Sequence, residues 1–230
     1  MLQTLRRFLK RRKLDGKLEQ LSMEERFTDH FKSGWWFENG ESVSGSGSTM
    51  EATKEIREAL PAFLAKYDVK TFLDAPCGDW NWMRTVELPE GVHYIGADIV
   101  PDLVAQNGEK YAGERVEFRH IDITSDPLPA ATMMMCRDAL FHLANADIWR
   151  FFQNFAASDI DYLLTTHMPQ IGSNSDIVTG KYRPLNLEIA PFNMPAPRDR
   201  FADYHEPYRE KYMALWTRED VAAMLKAAGR

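Results

Sequence analysis

The chain has 230 residues, of which 44% are hydrophobic and 27% are charged. These values are ordinary for a globular protein and predict one domain with a core of normal size. The net charge of -6 argues against a general nucleic-acid-binding protein, because such domains are usually basic. The two cysteines, Cys77 and Cys136, each lie in an apolar run. They are typical of reduced thiols and predict a cytoplasmic protein.

The first 20 residues differ in composition from the rest. Leucines and one phenylalanine fall near helical spacing, which predicts a short basic amphipathic helix. Three interpretations are open: residues 1–13 make weak contact with an anionic membrane surface, the helix binds an acidic partner, or the helix packs loosely on its own domain. The charged residues of this segment are Arg6, Arg7, Lys10, Arg11, Arg12, Lys13 and Lys17, opposed by Asp15 and Glu19.

A second short helix is predicted over residues 21–33, and three adjacent aromatic residues follow it at positions 35–37. Three adjacent aromatic side chains cannot all point into the core. We expect Trp36 to cover a bound ligand; the alternative is a hydrophobic clasp for the N-terminal arm. The glycines of the segment 45–49 predict a loop that can approach a ligand closely. We therefore treat residues 1–47 as a helical arm with a Gly/Ser loop, and residues 48–230 as the main domain.

Ser48 or Thr49 can cap the next helix, which is predicted to run to about Lys66 and to be bent or divided by Pro61. Beyond it, short apolar strands alternate with helix-sized segments. This order predicts an α/β fold, namely a Rossmann-like, doubly wound, mostly parallel sheet with an antiparallel edge strand in a three-layer αβα arrangement. The predicted strands are Thr71–Ala75, Tyr94–Asp98, Val116–Ile121, Thr132–Cys136 and Tyr162–Thr166, with a helix over Ala144–Ala157.

Residues 168–213 form a proline-rich segment that is too long for an ordinary connection and is therefore predicted to carry function. Arg183 and Asn186 within it either bind a polar ligand or brace the loop. An edge hairpin of the sheet could come from Arg183–Ile189 and Tyr212–Trp216. Alternatively, Thr217–Ala228 is the helix that precedes such a hairpin and the natural chain is longer.

Polar groups follow four of the predicted strands. Ligands of doubly wound sheets bind outside the carboxyl ends of the strands, so these groups mark a site. Asp74 opens a turn that contains Gly78. Asp98 offers two acceptor oxygens to the hydroxyls of a ribose, and Asp122 can accept from an adenine amino group. The fourth strand is followed by the pair Arg137-Asp138.

The order and spacing of these motifs, from about Val69 to Thr166, resemble those of class I S-adenosylmethionine-dependent methyltransferases. Pro76 and Trp80 stand where many members of that family have glycine. A wider set of segments is similar to an uncharacterised bacterial subgroup of these enzymes. That set comprises Ser44–Ser48, Asn81-Trp82-Met83, Gly180–Leu187 and Pro191-Phe192.

The resemblance implies S-adenosylmethionine as the cofactor and methyl transfer as the reaction, but it does not identify the acceptor, which we expect to be a small molecule or sugar. The general bases it suggests are His167 and His142, with Asp138 beside the acceptor, because histidine titrates near neutral pH. The cofactor-binding residues it implies are Trp36, Ser48, Asp74, Ala75, Pro76, Cys77, Gly78, Asp79, Trp80, Asp98, Ile99, Asp122, Ile123, Arg137 and Asp138.

Two other functions remain open at this point. One is a non-catalytic module that binds S-adenosylmethionine, which the basic arm and the atypical first motif would suit. The other is a nicotinamide-dependent reductase, which the missing Gly-x-Gly-x-x-Gly fingerprint argues against. No residues show metal-ligand spacing, so no metal site is predicted, and neither is a nucleic-acid partner.

Overall fold

A computed structural model describes residues 16, 18, 20–37, 40–204 and 210–230. The basic helix predicted over residues 1–20, with the membrane contact predicted for residues 1–13, lies almost wholly outside these ranges. Within them, no helix combines the length and the apolar character needed to cross a membrane.

Five α-helices and seven strands alternate along the described ranges. The helices are α1 (Met23–Ser33), α2 (Lys54–Lys66), α3 (Pro101–Tyr111), α4 (Asn145–Ala156) and α5 (Arg218–Ala227). The strands are β1 (Thr71–Asp74), β2 (His93–Asp98), β3 (Val116–His120), β4 (Ala131–Cys136), β5 (Ile160–His167), β6 (Asp199–Ala202) and β7 (Tyr212–Thr217). The five predicted strands thus correspond to β1 to β5. Pro61 does not divide α2. The helix continues through it, because Leu60 before the proline and Phe63 after it are both buried in the core.

The seven strands form one sheet in the order β3-β2-β1-β4-β5-β7-β6. Strands β1 to β5 are parallel, whereas β7 runs antiparallel to both β5 and β6. This confirms the predicted Rossmann-like fold with its antiparallel edge. Strand order reverses at β1, which lies between β2 and β4, so the carboxyl ends of these three strands surround the point where ligands bind in such sheets.

Hydrophobic clusters cover both faces of the sheet. Leu73 belongs to the cluster that includes Phe152 of α4 and Val221 of α5. Its neighbour Phe72 belongs to the opposite cluster, with Leu60 of α2. Consecutive strand residues point to opposite faces, and both faces are buried, which explains why these strands read as continuous apolar runs. The arrangement has helices on both sides of the sheet, as predicted.

The edge hairpin is formed by β6 and β7, so the strand suggested at Arg183–Ile189 is wrong. That segment is irregular because its polar groups bond locally. The Arg183 guanidinium donates to the carbonyls of Ser175 and Leu140. The Asn186 amide donates to the carbonyls of Pro169 and Ile171. Both side chains therefore brace the long loop, and α5 follows the hairpin instead of preceding it.

Helix α5 begins with a capping box that joins it to the hairpin. The Thr217 hydroxyl accepts from the Asp220 amide at 3.2 Å, and the Asp220 carboxylate accepts from the Thr217 amide at 3.0 Å. The same carboxylate accepts two hydrogen bonds from Arg198, just before β6.

We expect Thr217→Ala to lower the free energy of unfolding by about 1 kcal/mol, because the first turn of α5 loses its cap. Thr217→Ser keeps the hydroxyl and should stay close to the parent protein. Urea denaturation followed by circular dichroism measures both. Equal losses in the two variants would contradict this role of the hydroxyl.

Candidate functional site

A cavity of about 680 Å³ lies at the carboxyl ends of β1, β2 and β4. Helix α1 and the Gly/Ser loop cover it from the other side. Most of the predicted site residues line it, so the structure brings together segments that are far apart in sequence. These residues are Trp36, Ser48, Asp74, Pro76, Cys77, Gly78, Asp98, Ile99, Asp122, Ile123, Arg137, Asp138 and His142.

The turn after β1 is held between the neighbouring strand and the Gly/Ser loop. The Cys77 amide donates to the Ala97 carbonyl of β2. Gly78 has a φ of 58°, and a Cβ atom there would lie 2.4 Å from the Ser44 hydroxyl oxygen. Both its conformation and this close approach require glycine. The turn therefore carries the Gly/Ser loop directly against the cavity.

Asp98, at the end of β2, is buried but lines the cavity. Its carboxylate accepts from the amide of Gly78 at 3.1 Å and from the amide of Val100 at 3.0 Å. Burial raises the pKa of Asp98 to about 6, and these amide bonds oppose the rise. The carboxylate is thus ionised at neutral pH and fixed in orientation by the β1 turn.

Asp74, at the end of β1, is a second buried carboxyl group facing the cavity. Burial raises the pKa of Asp74 to about 7, and the Tyr94 hydroxyl, which donates to it at 2.7 Å, works in the other direction. Arg137 further opposes the rise, whereas Asp98 adds to it. A positively charged ligand group beside Asp74 would favour its ionised form.

The Gly/Ser loop is fastened to the β1 turn by hydrogen bonds on its outer side. The Asp79 carboxylate accepts from the Ser42 hydroxyl at 3.0 Å and from the Val43 amide at 2.9 Å. The Asn81 side chain donates to the Ser48 carbonyl. Asp79 does not line the cavity. Asp79 therefore holds the loop and does not reach the site where a cofactor would bind.

A cluster of four charged side chains closes the cavity below the loop. Arg137 donates to both carboxylate oxygens of Asp203, at 2.9 and 3.1 Å. The Lys211 ammonium lies 2.9 Å from Asp138 and 3.0 Å from Asp203. Burial alone would lower the pKa of Arg137, but the two carboxylates raise it overall. The remaining guanidinium nitrogen donates to the Gly47 carbonyl, so the cluster also holds the Gly/Ser loop.

His142 borders the cavity beside the aromatic residues of the N-terminal segment. Its Nδ1 lies 2.7 Å from the Lys181 carbonyl. A carbonyl only accepts, so Nδ1 carries the hydrogen and Nε2 keeps its lone pair. Burial lowers the pKa of His142 to about 4, which keeps the ring neutral. The Trp36 ring lies 5.5 Å from the imidazole.

Trp36 lies between the cavity and α1. Its ring lines the cavity and also packs on Phe27 and His30 of α1, at 5.9 and 5.0 Å. Met23, Phe27 and Phe31 of α1 line the cavity as well. Helix α1 is therefore a wall of the site.

Asp122 and Ile123 line the cavity beyond β3. One Asp122 oxygen also accepts from the amide and the hydroxyl of Thr124, at 2.8 and 2.7 Å. Asp122 therefore caps its own turn while its residue faces the cavity. Its contact with Thr124 leaves the predicted role toward an adenine amino group open.

Three further predicted site residues lie outside the cavity. Ala75 is fully buried and continues the backbone pairing of β1 with the Met135 carbonyl. The Trp80 ring packs among Tyr94, Tyr111 and Phe118, at 5.0 to 5.5 Å. It therefore fills the core beside β2 and is not carried forward as a cofactor contact.

His167 is also outside the cavity and is completely buried. Its Nδ1 accepts from the Leu187 amide, and its Nε2 bonds to Glu188 at 3.0 Å. The ring packs edge-on against Trp216. Since both nitrogens are engaged by the long loop, His167 is not carried forward as the general base.

Sequence reasoning missed Asp203 and Lys211, which lie in the long loop and at its end. Neither stands in a motif, and their significance depends on contacts with Arg137 and Asp138 far back in the chain. The sequence signal that could have revealed them is their opposite charges close to the otherwise apolar strand β7. No group of three or more potential metal ligands occurs within the described ranges.

We expect Asp203→Asn to lower the free energy of unfolding by about 3–5 kcal/mol, because two buried cations are then left with one carboxylate. Asp199→Asn, at the start of β6, is the matched control, and Asp203 directly follows that strand. Its pair with Lys66 is partly exposed and should contribute less than about 1 kcal/mol. Chemical denaturation of both variants checks this. Similar losses would contradict the special standing of Asp203.

No family model and no curated protein matches the chain. Solved structures do match it. Magnesium protoporphyrin IX methyltransferase from Synechocystis PCC 6803, with bound S-adenosylmethionine, is 14% identical with a TM-score of 0.58, over 86% of this chain and 97% of that chain. The 1,6-didemethyltoxoflavin-N1-methyltransferase from Burkholderia thailandensis, with bound 1,6-didemethyltoxoflavin and S-adenosylhomocysteine, is 16% identical with a TM-score of 0.59, over 84% and 86%. The chain thus has the Rossmann-like methyltransferase fold that its motifs predicted.

Proposed function

We propose that the chain is an S-adenosylmethionine-dependent methyltransferase that acts on a small-molecule acceptor. The observation that carries the proposal is the junction of Gly78, Asp98 and the Gly/Ser loop at the mouth of the β1 turn. The buried carboxylate of Asp98 and the backbone of Gly78, which has no room for a side chain, both face the cavity. The Gly/Ser loop lies directly against Gly78. The two solved methyltransferases of the same fold were crystallised with S-adenosylmethionine or S-adenosylhomocysteine.

The cavity suits this cofactor in size and in the distribution of its polar groups. Its volume of about 680 Å³ lies within the usual range of cofactor and small-molecule sites. The part beyond β2 and β3 combines the apolar side chains of Ile99, Leu103 and Ile123 with the carboxyl groups of Asp98 and Asp122. The part beside β1 and β4 carries Asp74 and Arg137. An adenosyl group joined to a charged amino-acid tail has the same division.

Asp98 is assigned to the ribose, because its carboxylate is fixed by two backbone amides and can accept from two hydroxyl groups. Asp122 and Ile123 are assigned to the adenine ring. Asp74 is assigned to the ammonium of the amino-acid tail, whose positive charge would favour the ionised carboxylate. The remaining predicted residues of the β1 turn and the loop, including Pro76, Cys77 and Ser48, supply its walls.

S-adenosylmethionine supplies an electrophilic methyl group when it is bound. The protein then has to align the acceptor and keep water out. Trp36 and α1 exclude water by covering the cavity. Asp138 is held by Lys211 and by the Thr166 hydroxyl, so it shapes the floor of the site. Both of its oxygens already accept from Lys211, so no general-base role is proposed for it.

His142 is assigned the role of general base, which takes a proton from the methyl acceptor. Its Nδ1–H is tied to the Lys181 carbonyl, so Nε2 is the nitrogen that can receive a proton from an acceptor hydroxyl. The lowered pKa keeps the ring neutral at every pH above about 4. Charge loss on Asp98, whose pKa is about 6, therefore precedes protonation of His142 as the pH falls.

Asp98→Asn should weaken S-adenosylmethionine binding by about ten- to a hundredfold, since a charged acceptor of hydrogen bonds is lost. Affinity of the parent protein should fall near pH 7 through Asp74 and further as the pH drops through about 6, and only the component near 6 should be absent in the variant. Isothermal titration with S-adenosylmethionine and S-adenosylhomocysteine measures both. Glu117→Gln, an exposed carboxylate on β3, is the control. Failure of the parent protein to bind either compound would refute the proposed function.

His142→Asn should abolish most turnover, by about a hundredfold or more, while S-adenosylmethionine affinity is retained. The asparagine amide can still donate to the Lys181 carbonyl but offers nothing in place of Nε2. Turnover is measured with radiolabelled S-adenosylmethionine and a panel of phenols, carboxylic acids, amines and sugars. His93→Asn, at the start of β2 and paired with Glu117, is the control. Binding without turnover of any panel member would favour a non-catalytic module.

A further inference from the structure

One part of the cavity is lined by aromatic rings that come from the turn after α1, the segment after β4 and the long loop. The Trp36 ring lies 5.5 Å from the His142 ring. The Tyr182 ring lies 5.9 Å from His142 and 5.1 Å from Phe141. These four residues line the cavity, and so does Trp35. We call these five residues the aromatic subsite.

Backbone hydrogen bonds join the long loop to the segment after β4 and so position the aromatic subsite. The Gly180 amide donates to the His142 carbonyl at 2.8 Å, and the Arg183 amide donates to the Phe141 carbonyl at 3.1 Å. These two bonds flank Tyr182 in the chain, so the backbone sets its ring beside His142. Walls that are positioned in advance limit the entropy that is lost when a ligand binds.

Two rings of the aromatic subsite keep a large exposed surface. Trp35 is 54% exposed and Tyr182 is 41% exposed, although both line the cavity. Covering such apolar surface with an apolar ligand is favourable. The Tyr182 ring meets Phe141 edge to face at 77°, and the Trp36 ring is tilted by 45° from His142. Aromatic pairs prefer edge-to-face and offset contacts, so walls at these angles suit a flat aromatic ligand.

The charges around the cavity favour an uncharged acceptor. Arg137, Asp138 and Lys211 belong to the buried cluster in which cations and carboxylates balance. The other acidic side chains that line the cavity within the described ranges are assigned to the cofactor, and they are Asp74, Asp98 and Asp122. An ionic acceptor would therefore have no matching charge among these residues, whereas an uncharged one needs none.

The proton acceptor of the aromatic subsite, Nε2 of His142, favours one kind of hydroxyl compound. Burial lowers the pKa of His142 to about 4, so its imidazole is a weak base. A phenol such as the tyrosine side chain has a pKa of about 10, whereas alcohols, like water, are far less acidic. A weak base assists only a hydroxyl group that is itself acidic, which favours a phenol over an alcohol or a sugar.

We propose that the acceptor is an uncharged phenol whose ring lies in the aromatic subsite and whose hydroxyl group faces Nε2 of His142. This inference rests on the proposed methyltransferase function. The phenol oxygen bonds to the methyl carbon of S-adenosylmethionine, and the carbon–sulfur bond breaks with its electron pair left on sulfur. The phenol proton passes to Nε2 and then to water, because the lowered pKa of His142 keeps the ring neutral. The products are a methyl ether and S-adenosylhomocysteine.

Isothermal titration in the presence of S-adenosylhomocysteine tests the requirements for ring and charge without turnover. 2-Naphthol should bind more than about fivefold more tightly than decahydro-2-naphthol, which has the hydroxyl group but no aromatic ring. The anion 2-naphthoate and the cation 2-naphthylmethylammonium should bind more weakly than 2-naphthol. Equal binding of the saturated compound, tighter binding of either ion, or no binding of 2-naphthol would overturn the proposal.

Variants of the exposed rings test where the acceptor lies. Trp35→Leu and Tyr182→Leu should each weaken 2-naphthol binding by about three- to tenfold, because each removes one contact between rings. Phe37→Leu is the matched control, since Phe37 is 48% exposed and lies two residues from Trp35 but does not line the cavity. All three variants should keep the parent affinity for S-adenosylmethionine. An equal loss of 2-naphthol binding in Phe37→Leu would contradict the placement.

Turnover distinguishes a phenol from other aromatic acceptors. With radiolabelled S-adenosylmethionine, 2-naphthol should be methylated more than about a hundredfold faster than 2-naphthalenemethanol, which has the same ring but an alcohol group. Comparable rates, or methylation of decahydro-2-naphthol in place of 2-naphthol, would overturn the proposal. If S-adenosylmethionine still binds in that case, the proposed function stands and only the acceptor class is wrong.

Discussion

The structure depends on a buried cluster in which two cations and two carboxylates balance. Removing charged groups from water is costly, and the cluster is tolerated because every partner is matched. The fork of Arg137 meets both oxygens of Asp203, while Lys211 bridges Asp138 and Asp203. The cluster joins the end of β4 to the edge hairpin, and through the Gly47 carbonyl it also fixes the loop above the cavity. This one charged cluster therefore sets the relative positions of β4, the edge hairpin and the Gly/Ser loop.

A steric constraint complements it on the other side of the cavity. Gly78 and Ser44 approach so closely that any side chain on the glycine would displace the loop. The hydroxyl of Ser44 accepts from the Asp79 amide at 2.8 Å, and the Asp79 carboxylate bonds back to the loop. The loop is thus held at both ends, by the cluster and by the β1 turn. A site fixed in this way needs little rearrangement to bind a ligand, which limits the entropy lost on binding.

The sequence predicted the sheet and the cavity-lining acids because both follow from local pattern. Strands buried on both faces are apolar runs, and residues at their carboxyl ends converge whatever the loops do. Side-chain direction and long-range pairing cannot be predicted from such local patterns. Trp80 follows the glycine turn yet points into the core, and His167 ends β5 yet is tied to Glu188. Asp203 pairs with Arg137, which lies 66 residues earlier in the chain. The predicted edge strand was wrong because side chains such as Asn186 bond to loop carbonyls, and the hydrophobic period of the sequence does not reveal such bonds.

Asp74 and Asp98 show how such a site is maintained at the expense of stability. Burial raises the pKa of both, to about 7 and about 6, above the ordinary value near 4. A carboxyl group with a raised pKa in the folded state stabilises the fold most when it is protonated. That contribution is lost as the pH rises from about 4 toward 7, so both groups reduce stability at neutral pH. A cationic ligand reverses the effect, since it favours the ionised forms. Folding stability at neutral pH therefore does not account for the burial of these two acids.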